Sequence, residues 1–184
     1  MVDEEKIRYY NNKNLKLTED IKKCQKRCNT YNLLQSSSEK RKNIKEIIEL
    51  IGINPQIEPP FHCDFGYNIE IGDNFYSNYN LTILDEAKVL IGNNVLIGPN
   101  CGIYSAEHPI SIKNRNKGDE FAKNITIGDN VWIGGSVTIL AGVTIGSNST
   151  IGAGSVVTKD IPSGVVAVGN PCKVLRKLTD KELD

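Results

Sequence analysis

No stretch of this 184-residue chain stays apolar for long, because Gly, Asn or Asp interrupts every hydrophobic run within a few residues. A membrane-spanning helix is therefore not expected. The opening MVDEEKIRYYNN lacks the apolar centre of an export signal, which predicts a cytoplasmic protein. Nor is one sign of charge in excess. Lysine and arginine number 22 against 22 acidic residues, so there is no overall basic field to attract nucleic acid or an anionic membrane. Histidine occurs only at 62 and 108, and tryptophan only at 132. Side chains that exchange a proton near neutral pH are scarce. Five cysteines, an odd number without an export signal, read as reduced thiols and not as a disulfide framework. Cys24 and Cys28 would share one helix face, a spacing that could suit a metal. With two histidines and no second Cys pair to complete a ligand set, they read as structural, and no metal is expected.

What the chain does have is enough apolar material for one core-bearing unit, 39% of its residues, and an internal period. Residues 1–56 form a preface rich in lysine and glutamate and nearly free of glycine. Two apolar stripes recur there at helical spacing. Thr18 is a candidate cap for a helix bearing Ile21, Cys24, Cys28 and Tyr31. The cluster Ser36, Ser37 and Ser38 can cap a second, bearing Ile44, Ile47, Ile48 and Ile51 and ended by Gly52. Short helices gain most of their stability from burying such stripes, so both are expected to pack on the body that follows.

That body is expected over residues 57–176. From Ile127 every sixth residue is aliphatic: Ile127, Ile133, Ile139, Ile145, Ile151, Val157. An α-helix cannot hold this period on one face, since six steps of about 100° stop about 120° short of whole turns. An amphipathic strand asks only for alternation. A coil of short strands and turns does need it, with one inward aliphatic per flat side and a small or turn-forming residue at each corner. The pattern already shows at Ile71, Ile91 and Ile97, with a slip of register between Ile83 and Ile91. A larger break, SAEHPISIKNRNKGDEFAKN, occupies about 105–124. Polar and aperiodic, it is expected to leave the body as a loop, and loops on rigid bodies are where function concentrates. Residues 177–184 make a short polar tail. The period alone also suits a purely architectural or binding scaffold, because fold does not dictate function.

Four ordered stretches go further: PPFHCDFGYNIEIGDNFYSNYNLTILD, NCGIYSAEHP, ITIGDNVWIGGSVTILAGVTIG and IGAGSVVTKDIPSGVVAVGNPCKVLRK. In this combination the chain resembles the maltose/galactoside O-acetyltransferase family of hexapeptide-repeat acyltransferases, densely from Pro59 to Arg176 and weakly over the helical preface. The resemblance implies a mainly β fold, a left-handed parallel β-helix, assembled as a homotrimer with active sites between neighbouring subunits. It also implies acetyl-CoA as co-substrate and a small-molecule acceptor of sugar type, such as maltose, glucose or a galactoside. Transfer would proceed without an acyl-enzyme and without metal, nucleic acid or membrane.

Moving acetyl from a thioester to an alcohol needs a base for the hydroxyl proton and a donor for the developing oxyanion. His108 matches the family's HP motif as that base. A lone histidine is otherwise more often a surface residue; Pro109 behind it confines its backbone to extended geometry. Asn78, in SNYNLT, matches a position that holds the acceptor and stabilises the transition state, although asparagine also serves such coils as a corner residue with positive φ. Asp64 and Glu86 match acceptor-binding positions, where carboxylates suit vicinal hydroxyls; many relatives carry aspartate at the second. Asn12 falls where a galactoside-directed relative has an acidic residue, so no charged acceptor is available there. Trp132 matches a place beside the catalytic histidine, or else packs an interface. Gly135 matches the amide that faces the thioester oxygen, and Ala153 a pantetheine contact. Thr158 and Lys159 match positions near the far end of CoA, and Lys173 and Arg176 those that meet its phosphates, with Lys173 in place of an arginine. Read without the family, these cations are a solvated tail. His62 matches no demanded position and reads as structural.

Two rival readings stand beside this one. The first is an acetyltransferase for a non-sugar acceptor such as an antibiotic, a lipo-oligosaccharide unit or serine. The second is a non-catalytic β-helix binding module, which would release no CoA with any acceptor.

Overall fold

The computed structural model describes residues 15–183, and the six-residue period governs most of it. Short strands stack on three flat sides. The first side carries Leu50–Ile51, Ile69–Ile71, Val89–Ile91, Ile125–Ile127 and Thr144–Ile145. The second carries Gln56–Ile57, Tyr76–Ser77, Leu96–Ile97, Trp132–Ile133, Thr150–Ile151 and Val165–Val168. Phe61–Cys63, Leu81–Leu84, Gly102–Tyr104, Thr138–Ile139 and Val156–Val157 form the third. The chain visits the sides in turn, so neighbouring strands pair in parallel and the whole winds as a parallel β-solenoid.

Register explains the period. On the first side Ile51, Ile71, Ile91, Ile127 and Ile145 stand in one column, and on the third Ile83, Ile103, Ile139 and Val157 do the same. All of these but Ile51 are buried. One inward aliphatic per side therefore builds the core, each contributing on the order of 1.5–3 kcal/mol by leaving water. At the corner after the first side, Asn54, Asn74, Asn94, Asn130 and Asn148 all take positive φ, the region an asparagine tolerates. Each of the first four passes a hydrogen bond from Nδ2 to the Oδ1 of the next, at 2.9 to 3.2 Å.

The slip of register is a longer corner. Eight residues separate Cys63 from Ile71 and Ile83 from Ile91, although both pairs hold ladder positions in adjacent coils. The excursion near 105–124 leaves the body one coil later, between Gly102–Tyr104 and Ile125–Ile127. Three successive coils are thus expanded at the same third-to-first corner, and the core beneath keeps its register.

Helices α1 (Leu15–Asn32) and α2 (Ser37–Ile47) close the lower end. Their stripes meet the first coils through Cys24, Cys28, Tyr31, Ile44, Ile47 and Ile48, all buried. The Tyr31 hydroxyl donates to Ile57 O at 2.6 Å. Asn32 donates to Phe61 O at 3.0 Å and accepts the Phe61 N–H at 2.8 Å, so a helix side chain supplies the partners a further coil would have offered. Three local expectations need correction. Thr18 lies inside α1, already helical from Leu15. Ser36 holds the N-cap position of α2, but its hydroxyl pairs with that of Ser38 at 2.7 Å and makes no cap hydrogen bond. Gly52 does not end α2: the helix stops at Ile47, and Ile51 already belongs to the first strand, because pairing with Ile71 competes with the helix for that residue.

The excursion contains one helical turn, α3 (Ile112–Arg115). At the upper end Lys173–Lys177 turns back antiparallel along Val165–Val168, followed by α4 (Asp180–Leu183). Among the described residues no helix is long and apolar enough to cross a membrane.

Candidate active site

The expanded corner gathers carboxylates. Asp85 is buried and accepts the backbone N–H groups of Asp64 (3.0 Å), Phe65 (2.9 Å) and Gly66 (2.7 Å), which fixes the segment presenting Asp64. Burial pushes the Asp85 carboxyl up to about 6, against the pull of these three donors. Gly66 takes φ +77, and a β-carbon on it would collide with Ile47 O, so glycine lets α2 close against the corner. Asp64 is half-buried and hydrogen-bonded to Glu86, and burial raises its carboxyl. Burial first, and then the Asp64 charge, push Glu86 up to about 8. Near neutral pH the pair therefore retains a proton, giving it a donor as well as acceptors, the combination that adjacent hydroxyls require.

Above this pair stands the excursion. Ala106–Glu107 and Phe121–Ala122 pair antiparallel, Ala106 with Ala122 and Glu107 with Phe121, so the next step of the hairpin sets His108 opposite Glu120. His108 Nε2 lies 4.0 Å from Glu120 Oε1. The stem is anchored by buried Ser105, whose hydroxyl donates to Leu84 O (2.8 Å) and accepts the Ala87 N–H (2.9 Å). Lys123 N–H donates to Ser105 O at 2.9 Å. Beyond His108, Pro109 is buried and its carbonyl accepts from Arg115 Nη1 at 3.1 Å. The His108 side chain is 63% exposed, and Ile110 is 94% exposed, so the far side of this loop faces outward.

A second group occupies the next corner, between the second and third sides. The Asn78 N–H donates to Ile97 O (2.9 Å), and its Oδ1 accepts the Tyr79 N–H (2.8 Å). The positive φ at this corner belongs to Asn80, whose Nδ2 donates to Asn100 Oδ1 at 2.8 Å. The corner role weighed for Asn78 falls to Asn80. Two and three coils from Asn78 lie Gly135 and Ala153, with the Gly154 N–H donating to Gly135 O at 2.9 Å. Coils pack closely here: a β-carbon on Gly134 would stand 2.6 Å from Ala153 N. Among the described residues no acceptor meets the N–H of Gly135 or of Ala153.

The remaining candidates are dispersed. Thr158 and Lys159 follow the last third-side strand and are exposed. Lys173 and Arg176 are exposed on the antiparallel edge strand, where Arg176 grips Glu182 of α4 with two bonds of 2.7 and 2.8 Å. Trp132 projects from the second side, 57% exposed, and lines a surface groove together with Arg176. His62 is exposed on the third side. Asn12 lies outside the described residues.

One chain thus brings Asp64, Glu86, His108 and Glu120 to one corner, and Asn78, Gly135 and Ala153 to another, a full side of the prism away. Glu120 and Asp85 were not singled out from sequence. Glu120 becomes visible only through the pairing register of the hairpin, and Asp85 only through the backbone N–H groups that converge on it.

The family description "Bacterial transferase hexapeptide (six repeats)" matches residues 124–159, and "Hexapeptide repeat of succinyl-transferase" matches residues 88–115. The galactoside O-acetyltransferase of Escherichia coli (strain K12) is 52% identical over 148 residues, covering 80% of this chain and 73% of that one. A crystal structure of a maltose O-acetyltransferase from Clostridium difficile 630 superposes with a TM-score of 0.92 at 42% identity, over 95% of this chain and 94% of the other. A galactoside acetyltransferase in complex with coenzyme A superposes with a TM-score of 0.92 at 43% identity, over 96% and 89%.

Proposed function

This chain belongs to the galactoside and maltose O-acetyltransferase family of hexapeptide-repeat, acetyl-CoA-dependent enzymes, and we propose that it acetylates a sugar hydroxyl with His108 as general base and without an acyl-enzyme. The observation that carries this reading is the hairpin register that sets His108 opposite Glu120, on the same expanded corner as the Asp64–Glu86 pair.

In this mechanism Asp64 and Glu86 hold the acceptor through two of its hydroxyls, and His108 removes the proton from a third as its oxygen attacks the thioester carbon. Glu120 steers the imidazole and offsets the charge it gains. The oxyanion that forms is met by the Gly135 N–H and by Asn78, and collapse of the tetrahedral species expels the CoA thiolate, which recovers the proton from His108. Ala153 borders the pantetheine arm; Thr158, Lys159, Lys173 and Arg176 serve the far end of CoA. Each role is filled by an amide or side chain, so the transfer itself calls for no metal.

The two halves of this site occupy different corners, so a second copy is needed to complete it. Exposed apolar side chains stand beside both halves: Ile110 and Ile112 on the loop, Tyr79 next to Asn78, and Trp132 on the second side. A homotrimer whose neighbouring prisms meet corner to corner would bury them and bring His108 of one copy to the Asn78 and Gly135 of the next. CoA release with glucose, maltose and galactosides, measured for the wild type and His108→Ala, tests the assignment. Turnover near the wild-type level in the variant removes His108 as the base, and turnover confined to non-carbohydrate acceptors overturns the substrate class.

A further inference from the structure

The transfer chemistry leaves one group of reactive side chains unused. Cys24 and Cys28 lie four apart on α1, on one face of the helix, and that face packs against the third-side strand that carries Cys63. The sulfurs of Cys24 and Cys63 are 3.5 Å apart and those of Cys28 and Cys63 are 3.8 Å apart. All three lie within 4.8 Å of one another, and all three residues are buried. Every cysteine in the chain is free, so no disulfide competes for these sulfurs.

A tetrahedral zinc ion bound at about 2.3 Å by thiolates holds its sulfurs about 3.8 Å apart. Two edges of the triangle formed here are close to that length and the third lies within 4.8 Å, and its three corners come from two elements that are locked together by other contacts. Tyr31 and Asn32 hydrogen-bond the end of α1 to the first coil, and Asp85 fixes the backbone directly after Cys63. A fourth coordination position is open on one flank. There a cavity of about 100 Å³ borders Cys28 and Cys63 and is lined also by Gln25, Asn29, His62, Asp64 and Leu84. It can supply a water molecule as the fourth ligand. The spacing of Cys24 and Cys28 alone lacked a partner pair; the third ligand comes from 35 residues further along, which only the packing of α1 on the solenoid reveals.

We propose that Cys24, Cys28 and Cys63 form a structural thiolate site for a zinc-like divalent ion that staples α1 to the first coil of the solenoid. The ion would serve structure and not the transfer step itself, although Asp64 of the acceptor corner borders the same cavity. Its ion would be bound as three thiolates replace three thiols, with the protons released to solvent.

The test uses the full-length reduced protein and Co2+ as a spectroscopic probe, displaced afterwards by Zn2+. The proposal predicts about one Co2+ per chain, a thiolate-to-cobalt charge-transfer band that Zn2+ abolishes, and a higher melting temperature in Zn2+. Cys28→Ser should lower the band by about tenfold or more, whereas Cys172→Ser, which alters a distant thiol, should leave it intact. The wild-type titration decides the matter even if Cys28→Ser fails to fold. Absence of the band in the wild type, a band that survives Cys28→Ser, or thiol counting that finds two of the three sulfurs joined as a disulfide overturns the site.

Discussion

His108 is the residue on which loss should fall hardest. His108→Ala is expected to lower turnover by roughly 100- to 10,000-fold with the thermal transition unchanged, the range general-base catalysis supplies. Glu120→Gln keeps the shape and removes the charge 4.0 Å from the imidazole. It should reduce kcat by about tenfold with a smaller change in KM, as for a group that acts through the base. Asp85 carries no chemistry but collects three backbone N–H donors while buried. Asp85→Asn replaces one acceptor oxygen with an NH2 donor that faces backbone N–H donors, and chemical denaturation should show a loss on the order of 1–3 kcal/mol. His108 was singled out through the HP motif of the family resemblance, whereas Glu120 lies 12 residues on and is brought opposite it only by strand pairing.

Glu86 sets a pH dependence whose sign follows from its environment. Its carboxyl is raised from an ordinary value near 4.5 to about 8 by burial and by Asp64. Between those values the folded state holds a proton that the unfolded state has released, so stability is greatest below the lower value and declines as pH rises towards the higher one. Denaturation across this window should show that decline in the wild type and a flatter profile in Glu86→Gln.

Among the elements, the corners carried most of what the sequence could not show. The six-residue period gave the inward columns directly, since each side contributes one buried aliphatic per coil. The slip between Ile83 and Ile91 was visible as an irregularity, yet its meaning depends on knowing that Cys63 and Ile71 are separated in the same way one coil below. The caps were misplaced because strand pairing and neighbouring serines compete for the residues concerned. At the upper end α4 holds Arg176 through Glu182. If Arg176 meets a phosphate of CoA, Glu182→Gln should free it and lower KM for acetyl-CoA a few-fold, with kcat unchanged; a raised KM would separate Arg176 from the cofactor.

For the molecule as a whole, the proposed mechanism leaves no single chain with a complete site, since the His108 corner and the Asn78 corner are separated by a side of the prism. Co-expression of His108→Ala and Asn78→Ala subunits under distinct tags, with isolation of the mixed oligomers, measures this most directly. In a closed ring of three, every mixed oligomer keeps both residues intact at one of its three interfaces, so the mixed oligomers should recover about a third of wild-type turnover. Mixed oligomers no more active than the two parent variants, or a wild-type enzyme that is active as a monomer, would contradict the account.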